Sequence, residues 1–167
     1  GLSPESDRMI EELKAIRTKL FAEEISRLQS GELKQAAHIQ WFTVEKRFFP
    51  MGVKMIGAFL DAIKDSSLLE PQKYMAGFQV IPDEIPGFDS IAFNEVKVSM
   101  RVSSYLEGEI RAGRAMGLDI MLPEATNKLG GFVDACHSLT AATTVAIGKE
   151  EKLIEEMELI IERKSNE

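Results

Sequence analysis

Asp134 and His137 stand three residues apart in a stretch with helical spacing. On a helix that puts a carboxylate and an imidazole on one face, as in the carboxylate-x-x-His elements of di-metal bundles. His38 and Glu45, seven residues apart on an earlier helical pattern, are placed to complete such a site from a facing helix. A di-metal bundle uses two such elements and two further carboxylates, and here there is one element. The competing reading is a polar seam in which Asp134 and His137 satisfy each other or the backbone. His38 likewise reads either as a ligand or as a boundary histidine, since no Cys-x-x-Cys-His haem motif is present.

Cys136 is the single cysteine and lies beside His137. Adjacent residues on a helix do not face each other, so the pair makes no thiolate–imidazole dyad there. Its simplest role is that of a small apolar packing group. Gly108–Gly117 is a locally basic, glycine-rich stretch with Arg111 and Arg114 on one side, and Lys97 and Arg101 precede it on a similar face. Guanidinium forks suit phosphate and carboxylate groups, so the stretch could recruit an anion. The alternative is that these arginines pair with the abundant glutamates. Trp41, Phe42, Phe48 and Phe49 form an aromatic cluster that could line a ligand pocket between helices. The glycine spacings match neither a P-loop nor a dinucleotide fingerprint, and no His-Glu-x-x-His, Gly-x-Ser-x-Gly or Cys-x-x-Cys motif occurs. No catalytic residue is assigned, and no cofactor is named by these residues.

The elements that must hold these groups read as helical. Met9, Leu13, Ile16, Leu20, Phe21, Ile25 and Leu28 recur at three- and four-residue steps over 4–29, with Ser3 as N-cap and Gly31 as the stop. Leu33, Ala37, Trp41, Val44 and Phe48 suggest a second helix over 32–48, which Pro50 interrupts. Met55, Ile56, Phe59, Leu60 and Ile63 mark a third over 51–65. The pattern dissolves over 66–90, where 75–81 has room for a short β element. Over 91–117, Val96, Val98, Met100 and Val102 alternate with polar residues in strict period two, but a longer helical stripe runs to Met116, and helix is the favoured assignment. If a strand forms there, it pairs with 75–81. A last helix is expected from Pro123 or Phe132 to Lys164. The expected fold is mostly α, an all-helical bundle of four to five helices in one domain over 1–167, which can be a fragment of a longer protein.

Composition limits the function. The chain of 167 residues has a formal net charge of −7 and a pI near 5.0. Nucleic-acid binding needs a surplus of Lys and Arg, so it is not expected. No run of about 18 apolar residues suggests a membrane span. One cysteine and no signal sequence fit a cytoplasmic protein.

The C-terminal charged stretch carries an apolar seam of Ile147, Ile154, Met157 and Ile161, supported by Leu153 and Ile160. Such a seam suits pairing with the first helix or with a second copy of the chain. Three functions follow. The leading one is a non-enzymatic oligomerisation or signal-transmitting module that dimerises through this helix. The second is a sensor for a small anionic or aromatic ligand, using Arg111, Arg114, Trp41 and Phe42. The third is a metal-dependent enzyme using Asp134, His137 and His38.

Overall fold

The computed structural model describes residues 3–49, 51–81 and 94–167. Helix α1 (Pro4–Arg27) runs into a single π-helical turn (Leu28–Glu32). Then come β1 (Lys34–Gln35), β2 (Ile39–Glu45), α2 (Met55–Ile63), β3 (Tyr74–Val80) and β4 (Glu95–Arg101). They are followed by α3 (Ser104–Arg111), α4 (Leu118–Lys128), β5 (Phe132–Cys136), β6 (Thr140–Ala146) and α5 (Glu150–Ser165). The six strands make one mixed sheet in the order β1-β2-β3-β4-β6-β5. β2 and β3 run parallel, joined through α2, and the other neighbouring pairs are antiparallel.

The chain is therefore α/β, not the all-helical bundle expected from its periodicity. The helix expected over 32–48 is β1 and β2. Ile39–Val44 is rich in β-branched and aromatic residues, and β2 is buried on both faces, so its apolar residues run continuously and mimic a helical stripe. The 91–117 stretch splits: period two holds over β4, and the helix begins only after Ser103 caps it by accepting from the Leu106 amide at 3.1 Å. β4 does pair with the strand at 74–80. The long C-terminal helix divides into α4, a hairpin and α5. Thr140, Thr143, Thr144 and Val145 favour the pleat over the helix. The irregular segment expected over 66–90 contains β3, and its part from 82 on lies outside the described residues.

Period two gives the sheet two different faces. On one, Trp41, Tyr74, Phe78, Val96, Val98, Met100, Ala141 and Val145 lie under α3, α4 and α5. The seam of α5 belongs here: Leu153, Ile154, Met157, Ile160 and Ile161 are all buried in this core. On the other face, Phe42, Val44 and Met75 pack with Phe48, Ile56, Phe59, Leu60 and Ile63, joined by Phe21, Ile25 and Leu28 from the end of α1. Phe59 is the hub of this core, with ring centroids 5.0 Å from Phe21, 5.7 Å from Phe42 and 5.5 Å from Phe48. Edge-to-face pairs of this kind add about 0.5–1.5 kcal/mol each beyond area burial.

Buried polar groups are paired. Glu24, 2% exposed, accepts from the Arg47 guanidinium, which also donates to the Thr43 carbonyl at 2.8 Å. The Gln40 amide bridges to the Glu70 backbone, and Gln79 accepts from the Ile56 amide at 3.2 Å. Thr126 and Thr143 hydroxyls meet at 2.9 Å under α4. No helix among the described residues is long and apolar enough to cross a membrane.

Candidate functional site

The second face is covered only in part. α2 packs over β3 and β4, and the end of α1 covers the β2 side. Alongside α2 the registers of β4, β6 and β5 fix three rows of side chains, of which Ser99, 2% exposed, lies against α2 near Gly57. In one row, Arg101 opposes Thr140, and His137 donates its amide to the Thr140 carbonyl at 2.9 Å. The next row is Ser99, Ala142 and Ala135. The third is Lys97, Thr144 and Phe132. The small middle row makes the floor of a groove of about 150 Å³, with Lys54 and Gly57 of the α2 end along its flank.

Each cation is positioned by a local rule. Lys97, Ser99 and Arg101 share this face because side chains alternate along a strand. Lys97 and Arg101 then stand about 13 Å apart along β4, at about 3.4 Å per residue. Arg101 leans on α2: its Nε donates to Asp61 Oδ1 at 2.7 Å and its Nη1 to the Met100 carbonyl at 2.9 Å. Gly57 leaves room for that approach: a Cβ there would lie 2.7 Å from Arg101 Nη2 and push the guanidinium end aside. Arg101 Nη2 makes no hydrogen bond within the described residues. The side chains of Lys54 and Lys97 likewise form no ion pair with a described residue, and His137 is exposed on its turn. The site is thus a set of cations with spare donors around a hydroxyl- and methyl-lined floor, on a chain of net charge −7.

The residues singled out from spacing are dispersed. His38 and Glu45 sit at the two ends of β2, while Asp134 and His137 belong to the β5–β6 hairpin. The sheet order puts β3, β4 and β6 between β2 and β5, about 19 Å at 4.8 Å per strand step. Asp134 itself falls in a bulge between Val133 and Ala135. His38 is held instead by Glu158 of α5, which accepts from its backbone amide at 2.7 Å and meets its Nδ1 at 2.8 Å. The described residues hold no group of three His, Cys, Asp or Glu placed for a metal ion.

Arg111 and Arg114 are each paired with a glutamate of the same segment. Arg111 pairs with Glu107 and Arg114 with Glu109, each at 2.8 Å. The Arg114 guanidinium bonding to Glu109 holds that carboxyl below its ordinary range. Trp41 and Phe42 are successive strand residues on opposite faces, so they line no common pocket. Trp41 stacks edge-on against Phe78, with the Lys34 ammonium 4.4 Å from its ring centroid. Phe48 is core and Phe49 is 63% exposed. Cys136 is half-buried, and burial pushes its thiol up, with Asp134 and Asp119 adding to the effect. Of the seam residues, Ile154, Met157 and Ile161 are covered by the chain's own sheet and α4, and Ile147 is 48% exposed. Sequence reasoning noted Lys97 and Arg101 but missed Lys54, Ser99 and Thr140. The signal for Ser99 was the period-two alternation, read there as a helix.

The sequence matches no protein-family model and no curated protein. Solved structures resemble it in fold. The C-Ala domain from Aquifex aeolicus alanyl-tRNA synthetase aligns with a TM-score of 0.51 at 8% identity, over 77% of this chain and 96% of that one. The DHH domain of a member of the s1p family of ribosomal proteins aligns with a TM-score of 0.51 at 14% identity, over 93% of this chain and 32% of that one. A pGpG-specific phosphodiesterase from Vibrio cholerae aligns with a TM-score of 0.47 at 14% identity, over 96% of this chain and 44% of that one. The chain therefore spans about a third of the second protein and under half of the third. The first two are α/β domains, which agrees with the sheet and overturns the all-helical expectation. At these identities the likeness is one of fold alone.

Proposed function

We propose that the chain is an α/β module that binds a small phosphate-bearing ligand on the open face of β4, β6 and β5. One observation carries this reading: Lys54, Lys97, Arg101 and His137 converge on a shallow groove, and both lysines lack a carboxylate partner among the described residues. On an acidic chain, unpaired cations cost little when exposed, but their grouping over a small-residue floor leaves room for an anion. A phosphate fits better than a carboxylate because it offers oxygens in several directions. The exposed Thr140 hydroxyl can donate from the groove while Lys97 and Arg101 donate from opposite sides. The fold shared with a domain of a tRNA synthetase is compatible with a phosphate-bearing ligand.

The groove is short, so the reading is of a ligand with one or two phosphates and not of a duplex. Coulomb attraction at an exposed site falls with ionic strength, over a Debye length of about 8 Å at 0.15 M salt. Isothermal titration with inorganic pyrophosphate at low and moderate salt tests the reading. Saturable, salt-sensitive binding that drops about tenfold or more in Lys97→Ala supports it. Binding that is indifferent to Lys97→Ala and His137→Ala contradicts it.

A further inference from the structure

The first four turns of α1 stand off the body of the protein. Every residue from Pro4 to Lys19 is exposed except Ser6, and contact with the core begins only at Leu20 and Phe21. Yet the apolar stripe that the core uses further along continues into this part. Met9 is 63% exposed, Ile10 38%, Leu13 46% and Ile16 41%. Met9, Leu13, Ile16 and Leu20 follow four-three-four steps, the spacing of a two-helix seam. A helix segment of this length without tertiary contacts is marginal in water, and a stripe of four large apolar residues is a poor solvent face.

We infer that α1 is the pairing helix of a two-fold dimer, in which the stripe of one chain packs antiparallel on the same stripe of a second copy. The charge pattern identifies the occupant. The first half of the exposed segment carries Glu5, Asp7, Glu11 and Glu12, offset by one Arg8, and the second half carries Lys14, Arg17 and Lys19. Antiparallel pairing lays the acidic half of each helix beside the basic half of its partner. With Leu13 opposite Ile16 of the second copy and Met9 opposite Leu20, each Glu12 flanks the seam beside the other chain's Lys19, and each Ile10 lies beside the stem of Arg17. The globular bodies, each fixed to its helix from Leu20 on, then sit at opposite ends of the pair. The seam of α5, which sequence alone nominates for this role, is already covered within the chain.

Sedimentation equilibrium of the full chain from micromolar to several hundred micromolar tests this, alongside circular dichroism to follow folding. A monomer–dimer equilibrium is expected. Leu13→Asp and Ile16→Asp should each weaken it at least tenfold with the native spectrum retained, because neither side chain touches the core. Glu12→Lys and Lys19→Glu should each weaken the dimer several-fold, and the double variant should restore it. A monomer throughout the range overturns the inference. So does a dimer unaffected by Leu13→Asp and Ile16→Asp, which would place the interface elsewhere. Pyrophosphate binding at the sheet groove is independent of both results.

Discussion

The two faces of the sheet are built from the same strands and do different work. Along β4, Val96, Val98 and Met100 are sealed under α4 and α5, while Lys97 and Arg101 alternate onto the face where helix cover stops at α2. Along β6, Ala141 and Val145 point one way, and Ala142 and Thr144 the other. One face is apolar and closed, so substitution there should act on stability. The other is closed where α1 and α2 cover it and small, polar and cationic along β6 and β5, so substitution in that open part should act on binding. A strand with period two can separate these roles residue by residue, which a helix packed on one side cannot.

The strongest test of that separation is a pair of like substitutions. Val98→Asp buries a carboxylate without a partner and should abolish cooperative unfolding, a loss above about 4–5 kcal/mol. Ala142→Asp, on the open side of the neighbouring strand, should cost about 1 kcal/mol or less in a urea melt while eliminating pyrophosphate binding. Equal destabilisation by the two would mean that both positions are equally closed to water.

The part of the second face closed by the end of α1 gives the next largest effect. Arg47→Ala leaves Glu24 buried without its main cation, with only Arg27 at 3.6 Å, and should cost about 3 kcal/mol. The same change at Lys97 should leave the melt within about 0.5 kcal/mol of wild type. Stability should therefore distinguish the two parts of this face.

A pH effect sharpens the closed face further. Burial raises the Tyr74 phenol to about 12, although its hydrogen bond to the Met116 carbonyl, 2.6 Å long, is present. The folded state holds this proton more tightly than the unfolded chain, whose phenol titrates near 10. The resulting stability is complete below pH 10 and is lost as pH rises towards 12. The loss is on the order of 2 kcal/mol. Urea midpoints measured from pH 9 upward should fall in the wild type and fall less in Tyr74→Phe.

How much of this was legible in the residues depends on which neighbours decided the outcome. The start of α1 was readable because Ser3, Pro4 and the apolar steps are local signals, and the Ser3 hydroxyl does accept from the Ser6 amide at 3.2 Å. β2 was not, because burial on both faces removes the alternation that marks a strand. In β4 both periods were present, and Val96–Val102 obeyed the shorter because strands on either side supplied backbone partners. The hairpin of β5 and β6 was hidden by its alanines, which are compatible with either state. Arg111 and Arg114 were correctly seen as a basic pair, but Glu107 and Glu109 lie within reach on the same short segment. Lys97 escaped that fate because its strand neighbours on this face are Gln79 and Thr144, which carry no charge, whereas Arg101 is paired with Asp61 of α2 at 2.7 Å.

The smallest effect bears on the groove alone: His137→Ala should weaken pyrophosphate binding only a few-fold, with no change in the melt. If the open face holds an anion, backbone amide chemical shifts followed through a pyrophosphate titration should saturate and cluster on Lys97, Ser99, Arg101, His137, Thr140 and Ala142. Shifts that fail to saturate, or that cluster at Arg111 and Arg114 instead, would contradict that reading.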